Sequence, residues 1–289
     1  MNKPQGGIDE LIERYEALLF DAYGVLVHDT GALPGAAALT RHLHTIGKPF
    51  FVLSNDSSRL PHTAGKRYRG FGLQVNDEQL ITSGSLLRLY FERHDLYGAR
   101  CVVLGTADSK RYVEIAGGEV VGPAEAFDMI VVSDDDGYPF RETMNTTFSN
   151  LARAIDEERT IHLLLPNPDL IYPRAGGNFG FAAGSIAHMM EVALSARYPN
   201  RTDLRFVPLG KPEAGLFEEA RRRTGTMNMV MFGDQPMTDI AGARAFGLDA
   251  VLVGSGVAPS HDTGCLPSAV PFEPTWYLPS VSRVKHSGA

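Results

Sequence analysis

Cysteine and long apolar runs are scarce in this sequence, and both shortages limit what the protein can be. Cys101 and Cys265 are the only cysteines in 289 residues and lie far apart, which predicts reduced thiols in a cytoplasmic protein, with a single disulfide left open. No segment approaches the roughly 18 consecutive apolar residues that span a bilayer. Residues 1–7 are polar, so neither a membrane span nor a signal peptide is expected.

Positive charge is also in short supply. The chain carries 34 acidic and 27 basic side chains, a formal net charge of −7, which argues against nucleic acid as the main partner. The histidines show no ligand spacing with cysteines or acids, so no structural zinc site is expected. By contrast, 44% of the residues are hydrophobic, enough at this length to bury a sizeable core and to favour two domains over one.

Apolar strand patterns alternate with helical patterns along the chain, and the connections between them are short. This alternation predicts an α/β fold with a doubly wound, Rossmann-like parallel sheet. We expect residues 1–82 and 205–289 to form this core domain and residues 83–204 to form an inserted α/β cap domain. The proline-bearing C-terminal segment is expected to be irregular around one short strand. Expected helices cover 36–46, 62–71, 109–116, 142–157, 185–197 and 213–223, with another from Asp77, and expected strands include 101–104, 129–132 and 161–165.

The most informative segment is Leu18–Leu26, an apolar run that leads through Asp21 into a glycine turn. An aspartate just past the carboxyl end of a buried strand lies where open α/β sheets bind ligands, and its carboxylate can attack an electrophile. Such aspartates also cap ordinary turns. Asp21 is therefore a candidate nucleophile whose assignment depends on the rest of the chain.

Three further segments follow in the order that an aspartate-based phosphoryl-transfer site would need. The apolar run 48–53 ends in the polar cluster 54–58, whose hydroxyl, amide and backbone N–H groups can bind an anion. Lys211 precedes a helical pattern, and Pro212, in the first turn of that helix, would fix the direction of the lysine. A serine-rich loop and a surface lysine remain the ordinary alternatives.

The last segment places two carboxylates five positions apart, Asp234 and Asp239, after another apolar strand. Either the second acid or its neighbour Thr238 could simply cap the next helix. Two acids with no basic residue between them also suit a hard cation that takes oxygen ligands. The sequence is therefore compatible with a metal site at the end of this strand as well as with a helix cap.

Together these segments resemble the four motifs of the haloacid dehalogenase (HAD) superfamily. The likeness is greatest to its NagD-like phosphatase branch, subfamily IIA, which carries a large α/β cap between the second and third motifs. The resemblance spans nearly the whole chain and extends to 34–36, 57–59 and 167–169. The segments that resemble motifs one to four are 20–26, 53–55, 210–212 and 233–239.

This resemblance implies a Mg²⁺-dependent hydrolase that acts on a small phosphorylated metabolite through an aspartyl phosphate on Asp21. The implied magnesium ligands are Asp21, the backbone carbonyl of Tyr23 and Asp234, because Mg²⁺ prefers octahedral oxygen coordination and keeps several waters. Asp239 would lie just outside these ligands and hold a water on the metal or orient Lys211.

The phosphoryl group would be held by Lys211, Ser54 and Asn55. Phosphoryl transfer is catalysed mostly by neutralising and aligning charge. Lys211 would neutralise both the nucleophile and the transferring group, and the other two residues would donate hydrogen bonds to its oxygens.

Tyr23 departs from the family pattern, because phosphatases of this superfamily carry an aspartate there that protonates the leaving oxygen and later activates water. A phenol with a pKa near 10 is a poor substitute. Three explanations stay open. His28 or Asp29 could supply the acid, the substrate could have an activated leaving group, or the chain could bind a ligand with lost or weak turnover, as a metal-retaining regulatory protein.

A rival interpretation is a 2-haloacid dehalogenase, whose first motif also keeps an aromatic residue after the nucleophile. Dehalogenation needs no metal, so Asp234 and Asp239 would have no role in it. Those enzymes also carry their cap between the first and second motifs, whereas residues 26–48 have room for only one loop and one helix. The phosphatase interpretation is favoured.

Substrate recognition is expected in the cap. Asn167 and Asp169 would shape a loop over the site, and Arg174 would meet an acidic substrate group, although a turn and a solvated arginine are the ordinary alternatives. The run 134–136 resembles a metal site but is expected to be an exposed turn. The expected partner is a small phosphate ester, with neither nucleic acid nor membrane, and the chain could form a homodimer.

Overall fold

The structure, a computed structural model, describes residues 7–174, 178–256 and 272–283. Helices and strands alternate through all three ranges, and no helix in them is long and apolar enough to cross a membrane. The strands are β1 Ala17–Phe20, β2 Val27–His28, β3 Gly31–Ala32, β4 Phe50–Ser54, β5 Leu80–Thr82, β6 Arg100–Leu104, β7 Glu119–Val120, β8 Met129–Val132, β9 His162–Leu165, β10 Ile171–Arg174, β11 Asn178–Phe181, β12 Val207–Pro208, β13 Met229–Gly233, β14 Asp249–Val253 and β15 Trp276–Leu278. The α-helices are α1 Ile8–Arg14, α2 Ala36–Thr45, α3 Pro61–Gly70, α4 Leu86–His94, α5 Ala107–Ile115, α6 Phe140–Asp156, α7 Ala183–Arg197, α8 Gly215–Thr224 and α9 Ala241–Ala245.

The core sheet has six parallel strands in the order β15-β14-β13-β1-β4-β5. The central strand β1 pairs with β13 on one side and with β4 on the other. From β1 the chain order runs outward in opposite directions, which is the arrangement that opens a ligand crevice at the carboxyl ends of parallel strands. The loops after β1, β4 and β13 therefore meet at one edge of the sheet. The predicted doubly wound α/β core is confirmed.

The central strands are apolar throughout because the core sheet is covered on both faces. Leu18 and Phe20 pack on one face with Val230 and Phe232, and the rings of Phe20 and Phe232 stack with centroids 4.7 Å apart. Leu19 points to the other face with a second set of buried aliphatic side chains. This packing fixes the end of β1, and with it the position of Asp21.

A second parallel sheet has the order β12-β9-β8-β6-β7, with helices between its strands and a separate antiparallel hairpin formed by β10 and β11. Its own buried core includes Val102, Ile130 and Leu163. The edge strand Val207–Pro208 lies past residue 204, where the sequence places the end of the cap. The division into 1–82 with 205–289 and 83–204 stays a prediction.

Three local expectations need correction or fall outside the described residues. The helix predicted from Asp77 is wrong: a single 3₁₀ turn, Asp77–Gln79, leads directly into strand β5. Pro212 is not in the first turn of α8, because that helix begins at Gly215. The C-terminal strand is present as β15, whereas Cys265 and most of the C-terminal prolines lie outside the described residues.

Candidate active site

Three strand ends of the core sheet bring the candidate side chains together. Asp21 follows β1, and its backbone N–H donates to the carbonyl of Phe232 at 2.8 Å, so the nucleophile loop begins while still attached to β13. Ser54 closes β4, and Asp234 follows β13. All three side chains are buried, with at most 7% of Asp21 exposed. Asp21, Ser54 and Asp234 therefore lie together at the carboxyl edge of the core sheet, which forms the floor of the site.

Lys211 joins these elements through its buried ammonium group. Its Nζ donates to Asp21 Oδ1 and to Asp239 Oδ1, each at 2.6 Å, and to the carbonyl of Leu53 at 3.0 Å. Only 1% of the lysine is exposed. The three bonds use the three ammonium hydrogens, so the charge of Lys211 has a fixed position beside the nucleophile.

The charges around Lys211 shift its pKa and that of Asp21. Burial alone would lower the pKa of Lys211, but the carboxylates of Asp21, Asp239 and Asp169 raise it above its ordinary value. Burial raises the pKa of Asp21 to about 7, with Lys211 opposing and Asp239 adding to the rise. One ammonium is thus shared among several buried carboxylates, and the site holds an excess of negative charge.

A divalent cation fits this excess charge. One carboxylate oxygen each from Asp21, Asp234 and Asp239 lie within 4.8 Å of one another, and all three residues are buried. Asp239 also accepts the backbone N–H groups of Asp234 and Gln235 at 3.1 Å through Oδ2, while its Oδ1 accepts Lys211. These bonds make Asp239 a residue that positions Lys211 and the Asp234 backbone.

The absence of a side chain at Gly24 leaves space for the Asp234 carboxylate. It has φ +90°, a left-handed conformation that favours glycine, and a Cβ atom there would collide with the Asp234 carboxylate. The glycine in the first motif is therefore needed both for the turn after Asp21 and for the close approach of the second acid. The carbonyl of Gly24 accepts Ser255 Oγ at 2.8 Å, which ties this turn to the loop after β14.

Asn55 links three distant segments of the chain. Its Nδ2 donates to Asp169 Oδ1 at 2.9 Å and to the carbonyl of Lys211 at 3.0 Å, while its Oδ1 accepts the Lys211 backbone N–H at 2.7 Å. Both side-chain N–H bonds are therefore engaged within the protein. The amide aligns the Lys211 backbone, and a direct contact of Asn55 with phosphate stays a prediction.

A cavity of about 520 Å³ opens above this floor, between the core sheet and the second sheet. Its walls carry more carboxylates than cations, which suits a small polar ligand better than an apolar one. Core residues on the wall include Asp21, Tyr23, Asp29, Ser54, Asn55, Asp56, Ser58, Arg59, Arg67 and Gln235, and the inserted segment adds Asp134, Asp135, Asp136, Asn167, Asp169, Tyr172 and Arg174.

Comparison with known families matches the two halves of this site separately. A family model described as haloacid dehalogenase-like hydrolase matches residues 18–119, which hold Asp21, Ser54 and Asn55. A second, described as HAD-hydrolase-like, matches residues 208–284, which hold Lys211 and the two acids after β13. The chain belongs to the haloacid dehalogenase-like hydrolases.

Relatives in this superfamily extend the likeness over most of the chain. Ribonucleotide monophosphatase NagD of Escherichia coli (strain K12) is 27% identical over 273 residues, 92% of this chain and 97% of the relative. Dihydroxyacetone phosphatase of Corynebacterium glutamicum (strain R) is 26% identical over 266 residues, 91% and 88% of the two chains. A solved structure described as a possible sugar phosphatase of the HAD superfamily from Cytophaga hutchinsonii has a TM-score of 0.84 and 27% identity, with 97% and 99% of the chains covered. The chain is an enzyme of the NagD-like phosphatase branch.

Tyr23, the departure from the HAD phosphatase pattern, lies on the cavity wall. Burial raises the pKa of its phenol above the ordinary value, and the nearby Asp56 carboxylate adds to the rise. The shift makes the phenol a still weaker acid at neutral pH. The Tyr23 carbonyl stays a predicted metal ligand.

The structure also places the proposed replacement acids and the predicted substrate residues. His28 accepts from Thr30 N–H at 3.2 Å and contacts its neighbour Asp29 at 3.4 Å, and of this pair Asp29 is on the cavity wall. Asn167, Asp169 and Arg174 all line the cavity, as the loop prediction requires.

The structure changes the expectation for 134–136, whereas the role of Arg174 stays a prediction. Asp134 and Asp135 are only partly exposed and face the same cavity as Asp21, so 134–136 is not simply an exposed surface turn. Arg174 is exposed, and its charge acts on Asp135 within the cavity wall. The charged part of the cap therefore faces the site of this HAD-like hydrolase.

Sequence reasoning missed the two core arginines of the cavity. Arg59 donates to Asp56 Oδ2 at 3.2 Å, and Arg67, on α3, donates to the carbonyl of Asp29. No local pattern identifies Arg67, because only the packing of α3 beside the β2–β3 hairpin brings it to the wall. Arg59 could have been identified, because it belongs to the segment 57–59, which resembles the NagD-like branch.

Proposed function

We propose that this protein is a Mg²⁺-dependent phosphatase that hydrolyses a small phosphorylated metabolite through an aspartyl phosphate on Asp21. The observation that carries the proposal is the buried ammonium of Lys211, 2.6 Å from both Asp21 and Asp239 at the floor of a polar cavity. A fixed cation beside a carboxylate nucleophile is what attack on a dianionic phosphoryl group requires.

Each floor residue has one task in this reaction. Asp21 attacks phosphorus in line with the ester oxygen and carries the phosphoryl group until water removes it. Lys211 neutralises the equatorial phosphoryl oxygens, and Asp239 holds Lys211 in place. The Ser54 hydroxyl, at the end of β4 on the cavity wall, donates to one phosphoryl oxygen.

The acid cluster would hold the metal ion through Asp21 and Asp234, with the Tyr23 carbonyl as a further ligand. Three buried carboxylates against one ammonium support a divalent cation here, and hard oxygen donors suit Mg²⁺. When bound, Mg²⁺ supplies charge neutralisation for the nucleophile and the transferring group.

Tyr23 favours a second candidate, a binding protein that retains the metal and anion site but turns substrate over slowly. The aspartate that usually donates the proton is absent, and the raised pKa of the phenol makes it a poor replacement. General acid–base help is typically worth about 10²- to 10⁴-fold in rate. Substrates with good leaving groups would suffer least. A dehalogenase is disfavoured, since the segment between β1 and β4 holds only a hairpin and helix α2.

A panel of aryl and alkyl phosphates, assayed with Mg²⁺ and with a chelator, tests the proposal, alongside halide release from a 2-haloacid. We expect Mg²⁺-dependent phosphate release that Asp21→Asn abolishes, because an amide does not attack phosphorus. Tyr23→Asp should raise alkyl phosphate turnover by roughly 10² or more where no other side chain supplies the proton, and by much less where one does. If neither the parent nor Tyr23→Asp releases phosphate from any ester while both bind Mg²⁺, the binding protein replaces the enzyme. Halide release without phosphate release would favour the dehalogenase.

A further inference from the structure

A phosphatase with tyrosine at position 23 needs another proton donor on the leaving-group side of its cavity. The inserted segment supplies Asp134 to the wall of the cavity that Asp21 and Tyr23 also line. The charge of Asp134 is among those that act on the Tyr23 phenol. Asp134 thus lies near the place to which the side chain at position 23 extends.

The turn that carries Asp134 is fixed in position. It follows β8 in the middle of the second sheet, and the backbone N–H groups of Ser133 and Asp134 donate to the carbonyl of Leu104 at 2.8 and 3.1 Å. The carboxylate is oriented by the Asp136 N–H, which donates to Asp134 Oδ1 at 3.0 Å. The side chain therefore has a defined direction.

A core residue ties this turn to the phosphate-binding loop. Ser57 Oγ donates to the carbonyl of Ser133 at 2.8 Å, in a buried contact between segments 76 positions apart. Ser57 lies two residues after Asn55. This hydrogen bond between core and cap fixes the position of Asp134 relative to the loop after β4.

We propose that Asp134 is the general acid and base of this enzyme, in the place of the aspartate that position 23 lacks. The proposal rests on the proposed phosphatase function. Asp21 forms a bond to phosphorus as the bond from phosphorus to the ester oxygen breaks, and the Asp134 carboxyl proton passes to that oxygen to give the alcohol. The Asp134 carboxylate then takes a proton from the water that attacks phosphorus. The bond from phosphorus to Asp21 breaks, inorganic phosphate leaves, and both aspartates return to their starting states.

Burial suits Asp134 to this task. It raises the pKa of the carboxyl to about 6, against the bonds from the Asp136 N–H and the Ser58 side chain and with help from the charges of Asp135 and Asp56. A general acid works best with a pKa near the working pH, because it must both hold and release the proton. The charge of Asp134 also acts on Tyr23, Tyr138 and Tyr172, and the charged residues Asp29, Arg59, Arg67 and Arg174 line the same cavity.

Two other carboxylates of the wall, Asp56 and Asp169, bind different partners. Asp56 accepts the N–H and hydroxyl of Ser58 at 2.7 and 2.6 Å and pairs with Arg59. Asp169 accepts from Asn55 and acts on Lys211, so it belongs to the nucleophile side.

Leaving-group dependence tests the assignment, with the parent, Asp134→Asn and the cap control Asp203→Asn, an exposed residue paired with Arg201. In Asp134→Asn we expect kcat/KM for a primary alkyl phosphate to fall about 10²-fold or more. Release of p-nitrophenol in the first turnover should change by less than threefold, because that leaving group departs without a proton. The fall in alkyl kcat/KM above pH about 6 in the parent should disappear in the variant. Tyr23→Asp in the Asp134→Asn background should restore at least tenfold.

Several results would overturn the assignment. Alkyl kcat/KM within threefold of the parent, with the same pH profile, would remove Asp134 from proton transfer. Equal losses on aryl and alkyl esters, or no rescue by Tyr23→Asp, would assign it a structural role, and circular dichroism with Mg²⁺ binding checks that the variant folds. A parent that hydrolyses no ester overturns the phosphatase function itself and this inference with it, whereas an active parent with an unchanged Asp134→Asn overturns the inference alone.

Discussion

At the scale of single residues, the site is governed by buried charge. Lys211 is the ammonium shared by Asp21 and Asp239, and Asp234 adds a further buried carboxylate to the cluster. Charges out of contact with water are costly unless they are matched. The cluster therefore gains most from a divalent ion and is sensitive to loss of any one member.

Asp234→Asn should weaken Mg²⁺ binding at least about tenfold, because even residues that only support a metal ligand are worth 10- to 100-fold in affinity. The amide keeps the side-chain volume in a site with 0% exposure, so the fold should be retained. Titration calorimetry measures the affinity, with the exposed Asp203→Asn as control. Equal affinity in the parent and Asp234→Asn would exclude Asp234 as a ligand.

Asp169 should make stability depend on pH. Burial raises its pKa from 3.8 to about 6. Between pH 3.8 and pH 6, Asp169 is therefore protonated in the folded state and ionised in the unfolded state. Its contribution to the free energy of unfolding is complete below pH about 4 and is lost as the pH rises through 6. We expect the free energy of unfolding of the parent, relative to Asp169→Asn, to fall by about 1–3 kcal/mol between pH 4 and pH 7. Urea unfolding at three pH values measures this, and parallel curves for the two proteins would contradict it.

At the scale of elements, helix α5 of the cap holds the loop that follows β4. Ser109 Oγ donates to the carbonyl of Ser57 at 2.9 Å, and Thr106 Oγ1 donates to that of Ser58 at 2.6 Å. Tyr112 OH donates to the carbonyl of Arg59 at 2.7 Å and contacts Thr82 Oγ1 at 2.6 Å. A helix of the inserted segment thus supports the anion loop of the core.

Tyr112→Phe should destabilise the protein by about 1–3 kcal/mol, because it leaves the Arg59 carbonyl without this donor and the buried Thr82 hydroxyl without this acceptor. The loop should also hold phosphate less well, so KM should rise more than kcat falls. Chemical denaturation and steady-state kinetics measure the two effects, with the exposed Tyr97→Phe as control. A variant with parental stability and KM would show that α5 does not support the loop.

At the scale of the whole molecule, nucleophile and metal cluster lie in the core, whereas much of the cavity wall comes from the inserted segment. The nucleophile and the metal cluster are therefore separated along the chain from most of the residues that can contact the ester. We expect the insertion to decide which esters are accepted and the core to hold the metal ion and attack phosphorus.

Replacement of residues 83–208 by a short linker tests this separation, because strand Val207–Pro208 pairs within the second sheet. Mg²⁺ binding should persist, since Asp21 and Asp234 stay in the core. Hydrolysis of a small aryl phosphate should persist at a reduced rate, and discrimination among alkyl esters, measured as ratios of kcat/KM, should be lost. Unchanged ratios would place recognition in the core.

The core fold and the kinds of side chain at the site can be predicted from the sequence alone. Long apolar runs such as β1, β4 and β13, each followed by polar residues, carry their own signal, because a strand buried on both faces must be apolar throughout. Short strands do not: β5 has three residues and β12 has two, too few to show a period, so the sequence predicts a helix across the first and no strand at the second.

Only the tertiary structure decided which of these residues meet. Lys211 reaches Asp21 across 190 positions, and Asn55 reaches Asp169 across 114, because strand order in the sheet and the packing of the inserted segment join remote parts of the chain. The same packing places Asp134 and Arg67 on the cavity wall, although their local sequence resembles ordinary surface chain. The chemical type of each residue can be identified from the sequence, whereas the distances between remote side chains depend on the folded structure.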